Sequence, residues 1–173
     1  MMRKLSALVG IVGLLACLSA CGVSVGPRHT LSGPSVAHEI SQQLAKDYPV
    51  EAPAVSCPDG IEARKGTTFV CTTVLDGQHL DMDGTVTGSD GRYQVIPRDA
   101  VIPISSLTRY LSDDIKTQTG YRPSKIDCGP RTVAVVAVGA KIICSASFPR
   151  VPQPRTITSI VTDRDGKVTY TMD

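Results

Sequence analysis

The sequence predicts an α+β fold made of two tandem modules, each a single helix packed on a three- to four-stranded antiparallel sheet with one disulfide. Three observations carry this reading. The chain repeats itself: "GTTFVC" at 66–71 returns as "GAKIIC" at 139–144, and "VTGSDGRYQV" at 86–95 returns as "VTDRDGKVTY" at 161–170, in the same order. A stretch of helical periodicity precedes each block. After each helix the apolar period shortens from 3.6 to 2, with Asp-Gly turn signals between the alternating runs.

Residues 1–20 have the layout of an export signal. Arg3 and Lys4 precede the apolar stretch LSALVGIVGLLACL, which falls short of the about 20 apolar residues that a membrane-spanning helix needs. The stretch ends in Leu18-Ser19-Ala20-Cys21, which resembles the lipobox of bacterial lipoproteins. That resemblance implies a diacylglyceryl group on Cys21, loss of the residues before it, and a protein held at the extracytoplasmic face of the cell membrane. The next residues also spell Gly-x-Ser-x-Gly around Ser24. A hydrolase elbow, however, needs a buried strand, a sharp turn and a helix, and Ser24 sits in a Gly- and Pro-containing tether expected over 21–35.

The first module is expected over 36–100 and the second over 101–173. Val36, Ala37, Ile40 and Leu44 predict a helix over 36–47, with Ser35 as N-cap and Pro49 as stop. In HLDMDGTV, Leu80, Met82 and Val86 fall on one strand face and His79, Asp81, Asp83 and Thr85 on the other. Asp76-Gly77, Asp90-Gly91 and Asp165-Gly166 suit two-residue type I′ turns. Ile104, Leu107, Leu111 and Ile115 predict a second helix over about 104–118, with Gly120 as its C-cap.

Without residues 1–20 the chain holds 16 basic and 16 acidic side chains, so its formal net charge is zero. Neutrality removes any general argument for nucleic acid. The charge is unevenly spread: residues 36–100 hold five Lys/Arg against ten Asp/Glu, and residues 101–173 hold ten against six. Opposite signs favour packing of the halves or attraction of the second to an anionic membrane.

Cys57, Cys71, Cys128 and Cys144 remain besides Cys21 once Cys17 leaves with the signal. Export makes two disulfides the natural expectation. Of the three pairings, Cys57–Cys71 with Cys128–Cys144 is preferred, because the repeat supplies the same partner relation twice. No C-x-x-C motif occurs and no histidine stands near a cysteine at zinc-ligand spacing. No metal and no cofactor are expected, since phosphate-binding and dinucleotide fingerprints are also missing.

Asp76, His79, Asp81 and Asp83 form the best enzymatic constellation, yet the spacing does not fit a calcium loop. An enzyme would have to use His79 with those carboxylates, and no catalytic residue is assigned. His29 falls in the tether, and His38 lacks the second histidine of His-Glu-x-x-His. The segment most like a recognition element is FPRVPQPR at 148–155. Its candidate binding residues are Phe148, Arg150, Val151 and Arg155, because proline limits the entropy lost on ordering and arginine is frequent at interface hot spots.

The order of signal, lipobox, helix, Cys-Pro, Gly-x-x-x-x-Cys strand and Asp-Gly hairpin resembles a domain of unknown function of actinobacterial, including mycobacterial, lipoproteins. "VSCPDGIEARKGTTFVC" carries that resemblance in the first half, and the second half departs with Cys128-Gly129-Pro130. More loosely, the tandem architecture resembles secreted β-lactamase-inhibitory proteins. The resulting expectation is a lipid-anchored envelope protein that binds a protein, cell-wall or lipid partner, with a hydrolase inhibitor as the alternative and an enzyme as the remote one.

Overall fold

A computed structural model describes residues 29–173; the export signal, Cys21 and most of the expected tether lie outside the described residues. The first half runs β1 (Thr30–Leu31), α1 (Gly33–Asp47), β2 (Val55–Ser56), β3 (Ile61–Glu62), β4 (Thr68–Leu75), β5 (Gln78–Val86) and β6 (Tyr93–Pro97). The second repeats it as β7 (Ala100–Pro103), α2 (Ile104–Thr119), β8 (Lys125–Asp127), β9 (Val133–Val136), β10 (Lys141–Ser147), β11 (Arg155–Val161) and β12 (Val168–Met172). Each half contains a four-stranded antiparallel sheet, in order β2-β4-β5-β6 and β8-β10-β11-β12. The fold is thus the expected α+β, in two similar halves.

Each helix lays its apolar stripe on its own sheet. Val36, Ile40 and Leu44 pack with Phe69, Cys71, Leu75, Leu80, Met82 and Val86. Leu107, Leu111 and Ile115 pack with Ile142, Cys144, Ala146, Ile157 and Val161. The disulfides are Cys57–Cys71 and Cys128–Cys144, each tying the segment after the first sheet strand to the next one. Core volume is exchanged between the halves at one cross-strand pair. Phe69 faces Gly84, where an added Cβ would lie 2.3 Å from the Phe69 ring, and Ile142 faces Ser159 at the corresponding place.

Helix α1 starts at Gly33, three residues before the expected start, with Ser32 and not Ser35 at the cap position. The reason is not local. Gly33 donates its N–H to Asp59 Oδ1 (3.1 Å), so a carboxylate from the β2–β3 connection serves the helix N-terminus. A Cβ at Gly33 would sit 2.6 Å from the Pro58 carbonyl oxygen. The helix ends where expected, because Tyr48 precedes Pro49 and is extended (φ −126°, ψ 151°). Helix α2 ends on Gly120 in the left-handed region (φ 77°).

The turns divide. Asp76 (φ 47°) and Gly77 (φ 75°) both adopt positive φ, as a type I′ turn requires. At the other two sites only Gly91 and Gly166 do so. There the Thr87 N–H reaches the Arg92 carbonyl and the Thr162 N–H reaches the Lys167 carbonyl, closing four-residue loops in place of the expected two-residue turns. Asp90 and Asp163 carboxylates accept main-chain N–H groups inside these loops, which favours the longer form.

Each half also contains a two-stranded ribbon that the sequence reading lacks, β1–β3 and β7–β9. Ribbon β7–β9 is buried on both faces. Val101 and Val133 enter the first core, whereas Ala100, Ile102 and Ala134 enter the second. The two cores therefore share a structural element, and the halves are joined along apolar surface, with hydrogen bonds from the β4–β5 turn alongside.

Candidate partner-binding face

Where the first sheet ends at the β4–β5 turn, it is covered by β9. The Gln78 side-chain amide donates to the Val133 carbonyl (3.0 Å), and its oxygen accepts from the Val135 N–H (3.1 Å). One side chain thus holds the main chain of an extended strand at two points. The Asp76 carboxylate accepts the Thr132 N–H (2.7 Å), and this bond holds its pKa below the ordinary carboxylate value. Leu75 beneath is 1% exposed.

Among the described residues no strand covers the corresponding end of the second sheet. Phe148, Arg150, Val151 and Arg155 line a groove of about 770 Å³ together with Tyr121 and Met172. Tyr121 is 75% exposed and Val151 42%. All four expected binding residues therefore meet on one surface. Tyr121, Arg122 and Met172 were not foreseen, because they arrive from the end of α2 and from the last strand, far away in sequence. The loop is shaped by Arg150, whose φ of 67° is unusual for a residue with a Cβ, and by a Val151 N–H bond to the Phe148 carbonyl (3.2 Å). Three arginines reach this groove: Arg122 is paired with Asp113 (2.7 Å), and Arg150 and Arg155 are exposed.

Of the acidic constellation around His79, Asp81 and Asp83 stay with it on the outer strand face, as expected, and Asp76 is drawn away. Asp76 is engaged by Thr132, as above. His79 Nε2 lies 2.8 Å from Asp81 Oδ1 on the exposed outer face, and Arg98 bridges Asp81 (3.1 Å) and Asp83 (2.8 Å). The guanidinium holds the Asp83 carboxyl below its usual range. Among the described residues no group of three or more His, Cys, Asp or Glu side chains is placed to hold a metal ion. His38 contacts Gln42 (2.9 Å), and the His29 carbonyl accepts the Ala63 N–H (2.8 Å) beside ribbon β1–β3, so His29 and Thr30–Leu31 are not tether.

The space between each helix and its sheet is filled by core side chains. It opens at edges: Leu31, Val36, Ile40, Tyr93 and Val95 line a cleft of about 700 Å³ beside Glu39, and smaller clefts of about 460 Å³ lie between α1 and β2 and beside α2 at Leu107 and Val168. In both halves a tyrosine of the last strand bonds a helix carboxylate, Tyr93 to Glu39 and Tyr170 to Asp114 (2.8 Å). Burial and the adjacent carboxylate raise both phenols, Tyr170 to about 12.

No described helix is long and apolar enough to cross a membrane. Neither a curated protein nor a solved structure matches the chain. A family match runs from the apolar stretch through Cys21 and the first disulfide and stops short of the second half: a domain of unknown function, DUF4333, is found at residues 12–91.

Proposed function

We propose that the protein is a lipoprotein of the bacterial cell envelope, anchored through Cys21 at the extracytoplasmic face of the membrane, that works by binding another envelope component. The groove between Phe148, Val151, Arg155 and Tyr121 carries this reading: it joins exposed apolar side chains to arginines on a proline-stiffened loop. Two disulfides suit an oxidising compartment, and the leader resembles those of actinobacterial lipoproteins. The carboxylates that an enzyme would need beside His79 are engaged by Arg98 and Thr132.

Two measurements test the reading. Mass spectrometry of the native protein should find a diacylglyceryl adduct on an amino-terminal Cys21, and an unmodified start upstream of it would remove the anchor. A photo-crosslinking amino acid in place of Val151, in intact cells, should capture a defined partner that the same probe at the outer-face position Thr85 does not. Equal capture at both positions would remove the groove.

A further inference from the structure

The two sheet ends can be compared residue by residue through their registers. Cys71 lies opposite Met82 on β4 and β5, and Cys144 lies opposite Ile157 on β10 and β11. Counting four residues beyond each cysteine reaches Leu75 in the first half and Phe148 in the second. Counting four back from the opposite residue reaches Gln78 and Gln153, and counting two back reaches Leu80 and Arg155. By this count the glutamine that holds β9 has a counterpart in Gln153, which is exposed in the loop before β11, two residues from the groove-lining Arg155.

The differences say what the open end would hold. Leu80 is fully buried beneath the joined halves, and its counterpart Arg155 turns into the groove. The Asp76-Gly77 turn, whose carboxylate accepts a strand N–H, is replaced by Pro149-Arg150-Val151-Pro152. A buried apolar side chain has become a cation at one position, and a carboxylate acceptor has given way to an arginine-bearing loop at the other. Asp173 is the one acidic residue among the lining residues, against Arg150, Arg155 and Arg122, the last already paired with Asp113.

From this we infer that the groove takes an extended, acidic segment of another protein, laid across the end of the second sheet as β9 is laid across the end of the first. Main-chain hydrogen bonds would fix the strand, apolar side chains would fill the space over Phe148 and Val151, and carboxylates would meet Arg150 and Arg155. A second copy of the chain is the poorer occupant. Among the described residues its exposed ribbon, β1–β3, turns outward Thr30, which carries no charge, and Glu62, whose carboxylate is already paired with Arg64 (3.5 Å).

This inference rests on the groove being a binding surface, and its test separates the two. The probe is an amidated, fluorescently labelled heptapeptide alternating glutamate and valine, titrated by anisotropy against the disulfide-bonded chain from residue 21 onward. The expected result is saturable binding, weakened at least tenfold by R155E, at least fivefold by Gln153→Ala, and abolished by N-methylation of alternate peptide bonds or by lysine in place of glutamate. Circular dichroism checks that each variant stays folded. Peptide binding indifferent to N-methylation and to Gln153→Ala overturns the strand geometry, and equal binding of the lysine peptide overturns the acidic partner. No peptide binding overturns the inference while leaving the groove itself to the Val151 crosslink, and a crosslinked dimer of this chain would replace the foreign segment with a second copy.

Discussion

Ribbons β1–β3 and β7–β9 occupy the same place in their halves and have opposite surroundings. In each, one strand residue packs toward the last hairpin loop: a Cβ on Gly91 would meet Leu31 at 2.8 Å, and one on Gly166 would meet Ile102 at 3.0 Å. The opposite faces differ. Thr30 is exposed and Glu62 half-exposed, whereas Val101 is buried and Val135 is packed against the first core. Two valines thus convert a solvated edge into a joint. The lesson is that this repeat is not two beads on a string: the second half completes the core of the first, and the first half's outer ribbon carries polar side chains at the matching positions.

Loss of a disulfide gives the largest effect on that comparison. Closing a loop over 14 or 16 residues of sequence contributes about 3 kcal/mol in the chain-entropy model, a large share of the 5–15 kcal/mol typical of a domain, on the order of its whole margin for a small one. Replacing both Cys128 and Cys144 by alanine should lower stability by that amount. Because the cores share β7–β9, denaturation should still give one transition detected equally by probes in either half. Two separated transitions would show that the ribbon does not couple them.

Truncation within the joint comes next. Val133 is fully buried, so Val133→Ala should cost about 2 kcal/mol through lost transfer energy and residual cavity. Thr30→Ala, at the exposed edge of the outer ribbon, should stay within about 0.5 kcal/mol. Urea denaturation of the two variants measures the contrast directly, and equal costs would contradict the assignment of one ribbon as joint and the other as solvated edge.

Much of the architecture was legible because it is periodic. The helix stripes and the alternation of Leu80, Met82 and Val86 against His79, Asp81 and Asp83 follow from burial on one face only. Ribbon β7–β9 escaped for the converse reason. With both faces buried, "AVIP" and "VAVV" show continuous apolar character and no alternation. The start of α1 was missed because its capping carboxylate, Asp59, lies 26 residues away. At the groove, proline and arginine marked the loop, yet Tyr121 and Met172 are brought to it only by tertiary closure.

A smaller effect is expected at the Gln78–Asp76 contact with β9. Gln78→Ala leaves the Val133 carbonyl and Val135 N–H without their side-chain partner and should cost about 1–2 kcal/mol. Acid acts on the neighbouring carboxylate. The folded-state pKa of Asp76 is lowered, chiefly by the Thr132 N–H. Its contribution is therefore present above the ordinary carboxylate value near 4 and is lost as pH falls below it toward the folded-state pKa. Protection of the Thr132 amide, taken against its intrinsic exchange rate at each pH, should fall over that window, and Asp76→Asn should flatten the dependence. A Thr132 protection factor that is unchanged in acid would remove Asp76 from the joint.

The smallest expected effect has the opposite sign. Ser159 is fully buried and its hydroxyl has no hydrogen-bond partner, at the position where the first half has Gly84 beneath Phe69. The second half opposes a smaller Ile142 to a larger residue, so the volume is recovered while a polar atom is left unpaired. Removing that hydroxyl removes a desolvation cost on the order of 1 kcal/mol, and the space vacated is one oxygen atom. Ser159→Ala should accordingly raise the unfolding midpoint, whereas Gly84→Ser in the first half, which drives a side chain into the Phe69 ring, should lower it. If Ser159→Ala were destabilising instead, its hydroxyl would have to be bonded, and the matched substitutions between the two cores would be exchanges of polarity as well as of size.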